Sequence, residues 1–378
     1  MSRVERAEQQ NTSIKRSNAP KRKRPGKHSK YRAYFRLALI LIAAIFLIVM
    51  ITKAVRYLKN DTDVRLTDDG YTHAAQFDDC IVINGIDVSE FQTADISWGK
   101  AKTSGADFVF VRAAYRVADT GELKEDSLFE DNIEEAEDAD MMVGAYIYSQ
   151  AVTTEEAEEE AEFLMDLVED YNITMPLVID YELYEGGRLE QAVTDGELYA
   201  ASQFNDIVLA FCERVHEEGY EAGVYGNTNM FTNYMDASLI GDEANFWLAE
   251  YSVSASYDGD YTFWQCSQEA EAGGIDGYVD HDFWYVEPGK VYETRASGSL
   301  SQVSISECDV IFESDTVSME NHKAVPNATV HYEGKAMREG TDYVISYINN
   351  TSPGTGYAVV CGINGYKDWT TVPFTIED

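Results

Sequence analysis

The sequence predicts an α/β protein: an irregular β/α (TIM-like) barrel, preceded by a transmembrane helix and followed by a small all-β sandwich. Three observations predict it. Between residues 81 and 285, eight short and nearly continuous apolar runs recur, with helical spacing between those of the first half. That pattern suits a mostly parallel sheet buried on both faces and closed on itself. Residues 37–51 are fifteen consecutive apolar residues behind a basic segment, and flanking residues extend them to the roughly 20 needed to cross a bilayer. Beyond residue 300 the pattern becomes short alternating runs separated by Asn, Pro and Gly turns, as in antiparallel strands.

Residues 1–33 are polar and basic, too poor in apolar surface to order themselves, and are expected as a disordered cytoplasmic tail. The transmembrane helix is expected over 34–58, where Tyr34 and Phe35 precede the apolar run and Ala54, Val55, Tyr57 and Leu58 extend it. Arg36 and Lys53 would snorkel from it. Eight Lys and Arg fall between 21 and 36 against four between 53 and 72, which places the N-terminus in the cytoplasm and the remainder outside a single-pass anchor. No small-x-small cleavage site follows the apolar core, which disfavours a signal peptide. Residues 59–80 are polar and expected as a stalk.

Of the 378 residues, the first 36 carry a net charge of +10 and the rest −48, for a total of −38. A body so acidic repels phosphates, which excludes nucleic acid as its partner. Cys80, Cys212, Cys266, Cys308 and Cys361 contain no Cys-x-x-Cys pair, and no His-Glu-x-x-His, Gly-x-Ser-x-Gly or phosphate-binding glycine loop is present. The reading therefore invokes no metal and no organic cofactor. Cys212 and Cys266 lie in apolar surroundings and are expected as buried small hydrophobes. Cys308 and Cys361 could pair.

Within residues 81–285, Pro176-Leu-Val-Ile-Asp-Tyr-Glu182 is an apolar strand ending in two carboxylates one residue apart. Period-two geometry places Asp180 and Glu182 on one side, with backbones about 6–7 Å apart. Taken alone, such a pair more often caps a strand and faces water. In a barrel, however, working groups gather at the C-terminal strand ends. Asp87, Tyr148, Asp180, Glu182, Tyr225, Glu250, Trp264, Gln265 and Asp280 fall at such ends, and Tyr115 closes the second strand. Converging carboxylates suit glycoside hydrolysis, and aromatic rings stack on sugar faces. Between strands, Thr153-x-x-Glu156 reads as a capping box, and Ala157, Ala161, Leu164 and Val168 follow at helical spacing. The accompanying glutamate run reads as a solvated face. Phe204, Ile207, Val208, Phe211 and Val215 mark a second amphipathic helix.

Gly85-Ile-Asp-Val-Ser-Glu-Phe-Gln92, the Asp-x-Glu strand, Val224-Tyr-Gly226, Phe246-Trp-Leu-Ala-Glu-Tyr251, Trp264-Gln265 and Gly277-Tyr-Val-Asp280 together resemble the family-25 glycoside hydrolases. The resemblance implies a lysozyme (N-acetylmuramidase) cutting the β-1,4 bond between N-acetylmuramic acid and N-acetylglucosamine in peptidoglycan, with peptidoglycan glycan strands as partner, and with the apolar segment 34–58 it places the chain on a bacterial cell membrane. It further implies Glu182 as general acid/base, Asp180 as nucleophile or stabiliser of a substrate-assisted intermediate, and Asp87 and Asp280 as supporting acids. Tyr115, Tyr148, Tyr225, Glu250, Trp264 and Gln265 would bind substrate. Two positions depart from the family pattern: Ile147 stands where many members have histidine, and Asp282 where many have asparagine. A non-catalytic glycan-binding protein and a hydrolase of another N-acetylhexosamine polymer are the alternatives.

Residues 286–300 read as a linker. Residues 301–378 resemble the immunoglobulin-like modules of bacterial surface proteins through Gly340-Thr-Asp-Tyr343 and Gly362-Ile-Asn-Gly-Tyr366, which implies a spacer or wall-contact role.

Overall fold

A computed structural model describes residues 64–92, 95–292 and 303–377. The expected cytoplasmic tail and transmembrane helix lie outside these, as do residues 59–63 and 293–302. No helix among the described residues is long and apolar enough to cross a membrane.

Strands β1 (Ile81–Val88), β2 (Phe108–Arg116), β3 (Leu123–Glu125), β4 (Met142–Tyr148), β5 (Leu177–Asp180), β6 (Ala222–Asn227), β7 (Asn245–Ala249), β8 (Phe263–Ala270) and β9 (Val279–Val286) form one sheet. Because β1 pairs with both β2 and β9, eight of them close into a barrel in the order β1-β2-β4-β5-β6-β7-β8-β9, while β3 is a hairpin arm of β2. The expected βα alternation holds in the first half: α1 (Trp98–Thr103), α2 (Phe129–Asp138), α3 (Thr154–Val168), α4 (Arg188–Thr194) and α5 (Ala201–Glu217) separate the strands up to β6. Only short α6 (Ala237–Ile240) and single-turn pieces follow. The last strand departs from expectation. β9 runs antiparallel to both β8 and β1, because too few residues separate β8 from β9 for a parallel crossover.

Alternation along each strand sorts the side chains into two layers. Val178 of β5, Phe108 and Phe110 of β2, Tyr146 of β4, Trp247 of β7, Phe263 of β8 and Trp284 of β9 fill the barrel axis. Leu177, Ile179, Val109, Val111, Leu248 and Phe283 face the outer layer, where the helices bury Ala157, Ala161, Leu164, Phe204, Phe211 and Cys212. Glycine supplies room where two rings must enter: a Cβ on Gly85 or Gly144 would lie 2.4 Å from the rings of Phe108 or Phe110. Helix α3 opens at the predicted N-cap, with Thr153 Oγ1 accepting from the Glu156 N–H (3.3 Å), but the return bond of the box is displaced by one residue, Glu156 Oε2 accepting from the Val152 N–H (2.9 Å). One glutamate of its run is not solvated: Glu160 is buried and accepts from Arg116 Nε (2.7 Å) and Ser149 Oγ (2.5 Å).

Residues 64–80 are not a free stalk. Leu66 and Phe77 are buried on the barrel, Leu66 N donates to Ser104 O (2.8 Å), and Phe77 stacks on Tyr285 at 3.6 Å. This segment covers the outer face of β8 and β9, which has no helix of its own.

The C-terminal region is all-β among the described residues apart from one 3-10 turn. It contains β10 (Val291–Tyr292), β11 (Val303–Ser304), β12 (Asp309–Phe312), β13 (Thr316–Ser318), β14 (Ala328–Tyr332), β15 (Lys335–Ala336), β16 (Tyr343–Ile348), β17 (Gly354–Gly362), β18 (Tyr366–Lys367) and β19 (Trp369–Glu377). Part of the expected linker therefore belongs to this region, since β10 pairs with β19. Cys308 and Cys361 are both free thiols.

The region is fused to the base of the barrel. Ile348 and Val359 are fully buried in the same cluster as Ile83, Phe108 and Trp284. Trp369 lies 5.4 Å from Trp284 and stacks on Tyr292 at 4.0 Å. Polar contacts seal the rim: buried Lys102 pairs with Asp107 (2.8 Å) and donates to Tyr347 O (2.6 Å), while Asn349 N donates to Asp107 Oδ2 (2.7 Å). Barrel and C-terminal strands share one core, so they should unfold in a single transition followed by tryptophan fluorescence in urea. Ile348→Ala should lower the stability of that whole transition by about 2–5 kcal/mol. Two separate transitions, with only one moved, would contradict the shared core.

Candidate active site

The barrel mouth collects the C-terminal ends of seven parallel strands and the start of β9. At the end of β5, the Tyr181 N–H continues the ladder to Tyr225 O (3.0 Å). Its ring is fully buried in the outer layer, and its hydroxyl donates to Ala151 O (3.1 Å). With Tyr181 committed outward, Asp180 and Glu182 on either side point inward.

Burial pushes the Asp180 carboxyl well above the usual range, the Glu182 charge adds to this, and the Arg112 guanidinium opposes it. Glu182 is raised by burial as well. Two carboxyl groups so close titrate as a pair. Arg112 opposes the rise at Asp180 without cancelling it, so the two carboxyls are both raised and hold their proton as a pair. Arg112 is itself fixed by Asp126 Oδ2 (2.7 Å) and Glu90 Oε1 (3.2 Å) and lies over the rings of Phe91 (4.8 Å) and Tyr115 (5.4 Å). A bulge between Arg112 and Ala114 adds one residue to β2, which puts Tyr115 on the same side as Arg112.

Across the mouth, Asp87 and Asp280 are direct partners in the β1/β9 ladder. Asp280 lies at the beginning of its strand rather than the end, and the antiparallel course of β9 is what brings it to the mouth. Tyr225 OH donates to Gln265 Oε1 (2.8 Å), and Gln265 Nε2 donates to Asp87 Oδ2 (2.6 Å). Burial raises Asp87 well above the usual range, with the charges of Asp280 and Asp282 adding to it, and burial raises Asp280 to about 6. Four expected acids thus converge, and tyrosines stand among them. Tyr225 feels the charges of Asp180, Glu182 and Asp87; Tyr148 those of Asp180 and Glu182.

Two expected site residues face elsewhere. Trp264 is fully buried in the outer layer, edge-on to Tyr71, with its indole N–H donating to Glu250 O (2.8 Å). Its neighbour Gln265 takes the inward position, since adjacent residues on a strand face opposite sides. Glu250 anchors its own loop, accepting from Ser256 N (2.7 Å), Tyr257 N (3.2 Å) and Thr228 Oγ1 (2.9 Å). Burial pushes its carboxyl up, but these donors outweigh burial and hold it below the usual range.

Four residues of the mouth were absent from the expected set: Arg112, Tyr146, Tyr184 and Tyr251. Tyr146 feels Asp87, Asp180 and Asp280, and Tyr251 feels Asp280, Asp87 and Glu182. Tyr184 lies 5.9 Å from Tyr148. Counting in twos from Phe108, Met142 and Trp247 would have found Arg112, Tyr146 and Tyr251; Tyr184 lies on a loop and had no such signal.

Glycosyl hydrolases family 25 matches residues 86–275, half of the chain. The chain belongs to this family. The family-25 chain is 24% identical over 201 residues to the autolytic lysozyme of Clostridium acetobutylicum, an alignment covering 53% of this chain and 55% of that protein. It is 26% identical over 209 residues to lysozyme M1 of Streptomyces globisporus, covering 53% and 67%. This family-25 protein thus spans little more than half the length of the first relative. Among solved structures, a bacterial lysozyme from Streptomyces coelicolor matches 53% of this chain and 91% of its own, with 23% identity and a TM-score of 0.43.

The placement of Trp264 separates packing from binding. Trp264→Phe should lower stability by about 1–3 kcal/mol through the orphaned Glu250 carbonyl and the lost ring volume, while the KM for any polysaccharide substrate stays within about twofold. A large KM rise without loss of stability would restore Trp264 to the cleft.

Proposed function

We propose that this family-25 hydrolase cleaves the β-1,4 bond between N-acetylmuramic acid and N-acetylglucosamine in peptidoglycan. The observation that carries the reading is the inward pair Asp180 and Glu182 on either side of buried Tyr181. The lysozyme names of its relatives support it. Glu182 protonates the leaving oxygen and then acts as base. Asp180, whose charged form Arg112 favours, either attacks the sugar or stabilises an intermediate formed by the substrate's own acetamido group. Asp87 and Asp280 hold the opposite wall, and Tyr148, Tyr115 and Tyr225 offer faces and hydroxyls to the sugars. On the outward side of the cytoplasmic membrane, residues 34–58 would tether the enzyme near the wall. The C-terminal strands, read as an immunoglobulin-like module, act as base and spacer.

Glu182→Gln should lower hydrolysis of purified cell walls by roughly 10²–10⁴-fold with unchanged unfolding, followed by turbidity and by mass spectrometry of the released reducing ends. Fragments ending in N-acetylglucosamine would replace the muramidase reading with another glycosidase. A fully active variant would remove Glu182 from the acid role.

The acid must be protonated in the free enzyme, and burial raises Glu182 above its usual range. The kcat/KM profile should therefore be bell-shaped, falling as pH rises through that raised pKa and falling at low pH where Asp180 takes up a proton. In Arg112→Gln, Asp180 loses its counter-charge and competes for the proton, so the acidic limb should move to higher pH. An acidic limb that stays in place in this variant would show that Arg112 does not set the charge on Asp180.

A further inference from the structure

We propose that Asp282 and Asp87 share one proton, which makes Asp282 a positioning residue that steadies Asp87 and holds the pair at a single negative charge. The inference deepens the hydrolase reading of the mouth and rests on it for its purpose, but its test needs no substrate.

Asp282 lies on β9 opposite Gly85 of β1 and Gln265 of β8. It is 0% exposed. Its Oδ1 accepts from Trp247 Nε1 on β7 (2.8 Å), whereas its Oδ2 is buried with no donor among the described residues. The group within hydrogen-bonding reach of that carboxyl is the carboxyl of Asp87. Other donors nearby do not reach it: the single indole N–H of Trp247 goes to Oδ1, and the amide of Gln265 is turned to Asp87 and makes no bond to Asp282 Oδ2.

Surrounding charge offers no substitute for a proton. On its own strand, Asp280 is another acid, and its charge acts on both members of the pair. His281 takes the opposite side of β9, with Nε2 against Asn84 Oδ1 (2.9 Å), and burial lowers it to about 4. From β4, Tyr146 faces Asp87 as a neutral phenol raised by burial. Arg112 on β2 acts on Asp180. Two buried carboxyl groups in contact cannot both be ionised at ordinary cost, and one proton between them removes the repulsion and supplies the missing donor. An asparagine at this position would offer the same two bonds permanently, its amide oxygen accepting from the indole and its NH₂ donating to Asp87.

In the unfolded chain both carboxyls are ionised above about pH 5, so folding takes up the shared proton. The sign follows directly: a carboxyl raised in the folded state contributes stability at low pH that is lost as pH rises. Urea unfolding of the full chain between about pH 5.5 and 7.5 should show the wild-type folded-to-unfolded ratio falling up to tenfold more per pH unit than that of Asp282→Asn. Asp87→Asn should remove the same dependence, and the double variant should remove no more than either single change. Equal pH slopes in wild type and Asp282→Asn would overturn the proposal, as would a double variant that loses two protons' worth of slope. If Asp282→Asn does not fold, the Asp87→Asn slope decides. On purified walls, Asp282→Ala should turn over more slowly than Asp282→Asn, since only the amide can hold Asp87. Failure of every form to act on walls would count against the muramidase reading while leaving the proton linkage to stand or fall by itself.

Discussion

A closed barrel gives each strand one dry face and one that is dry at the base and wet only at the mouth, and the rest of this protein depends on that gradient. Along the axis, Ile83, Phe108, Phe263 and Trp284 give way to Phe110 and Trp247, stacked at 4.4 Å, and then to Asp87, Asp180 and Gln265. Carboxyl groups placed at that last level are mostly desolvated yet reachable from outside. Desolvation disfavours the charged form, so the barrel itself raises these acids. Opposing cations and donors then decide which of them keeps a charge.

That division is visible in how the two halves of the mouth are wired. Beside Asp180, the fixed cation Arg112 is braced by Asp126 and Glu90. Beside Asp87 there is a neutral relay from Tyr225 through Gln265 and a second acid in contact. One wall therefore sets a cation against its buried acids, and the other sets only neutral donors and a further acid against its own. Behind the first wall, a buried network repeats the logic away from the mouth. Glu160, raised by burial to about 7, is held by Arg116 and Ser149. Ser149 also donates its backbone N–H to Asp180 O (2.9 Å), so the helix layer is tied to the strand that carries the acids.

The base of the barrel has its own constraint. Large inward rings at that end cannot meet water without cost, and the C-terminal strands cover them with Ile348, Val359 and Trp369. The buried Lys102–Asp107 pair satisfies its remaining valences on Tyr347 and Asn349 of the same region. A buried ion pair is tolerable only with such additional bonds, so the C-terminal region is structurally part of the barrel whatever else it touches.

The sequence by itself determined the eight strands, the two amphipathic helices and the capped start of α3, because hydrophobic period and capping chemistry are local. It also determined that Asp180 and Glu182 share a side, since a spacing of two is geometric. It could not determine which side faces the axis: strands buried on both faces, such as those carrying Trp264 and Gln265, show no polar contrast to read. Closure decided that, sending Trp264 outward and Gln265 inward. Tertiary structure alone also reversed β9 so that Asp280 reaches Asp87, drew residues 64–80 onto strands that lack a covering helix, and set Arg112 against Asp180. Each of these depends on partners far apart in the chain, and contacts of that kind leave no periodic trace in the residues that make them.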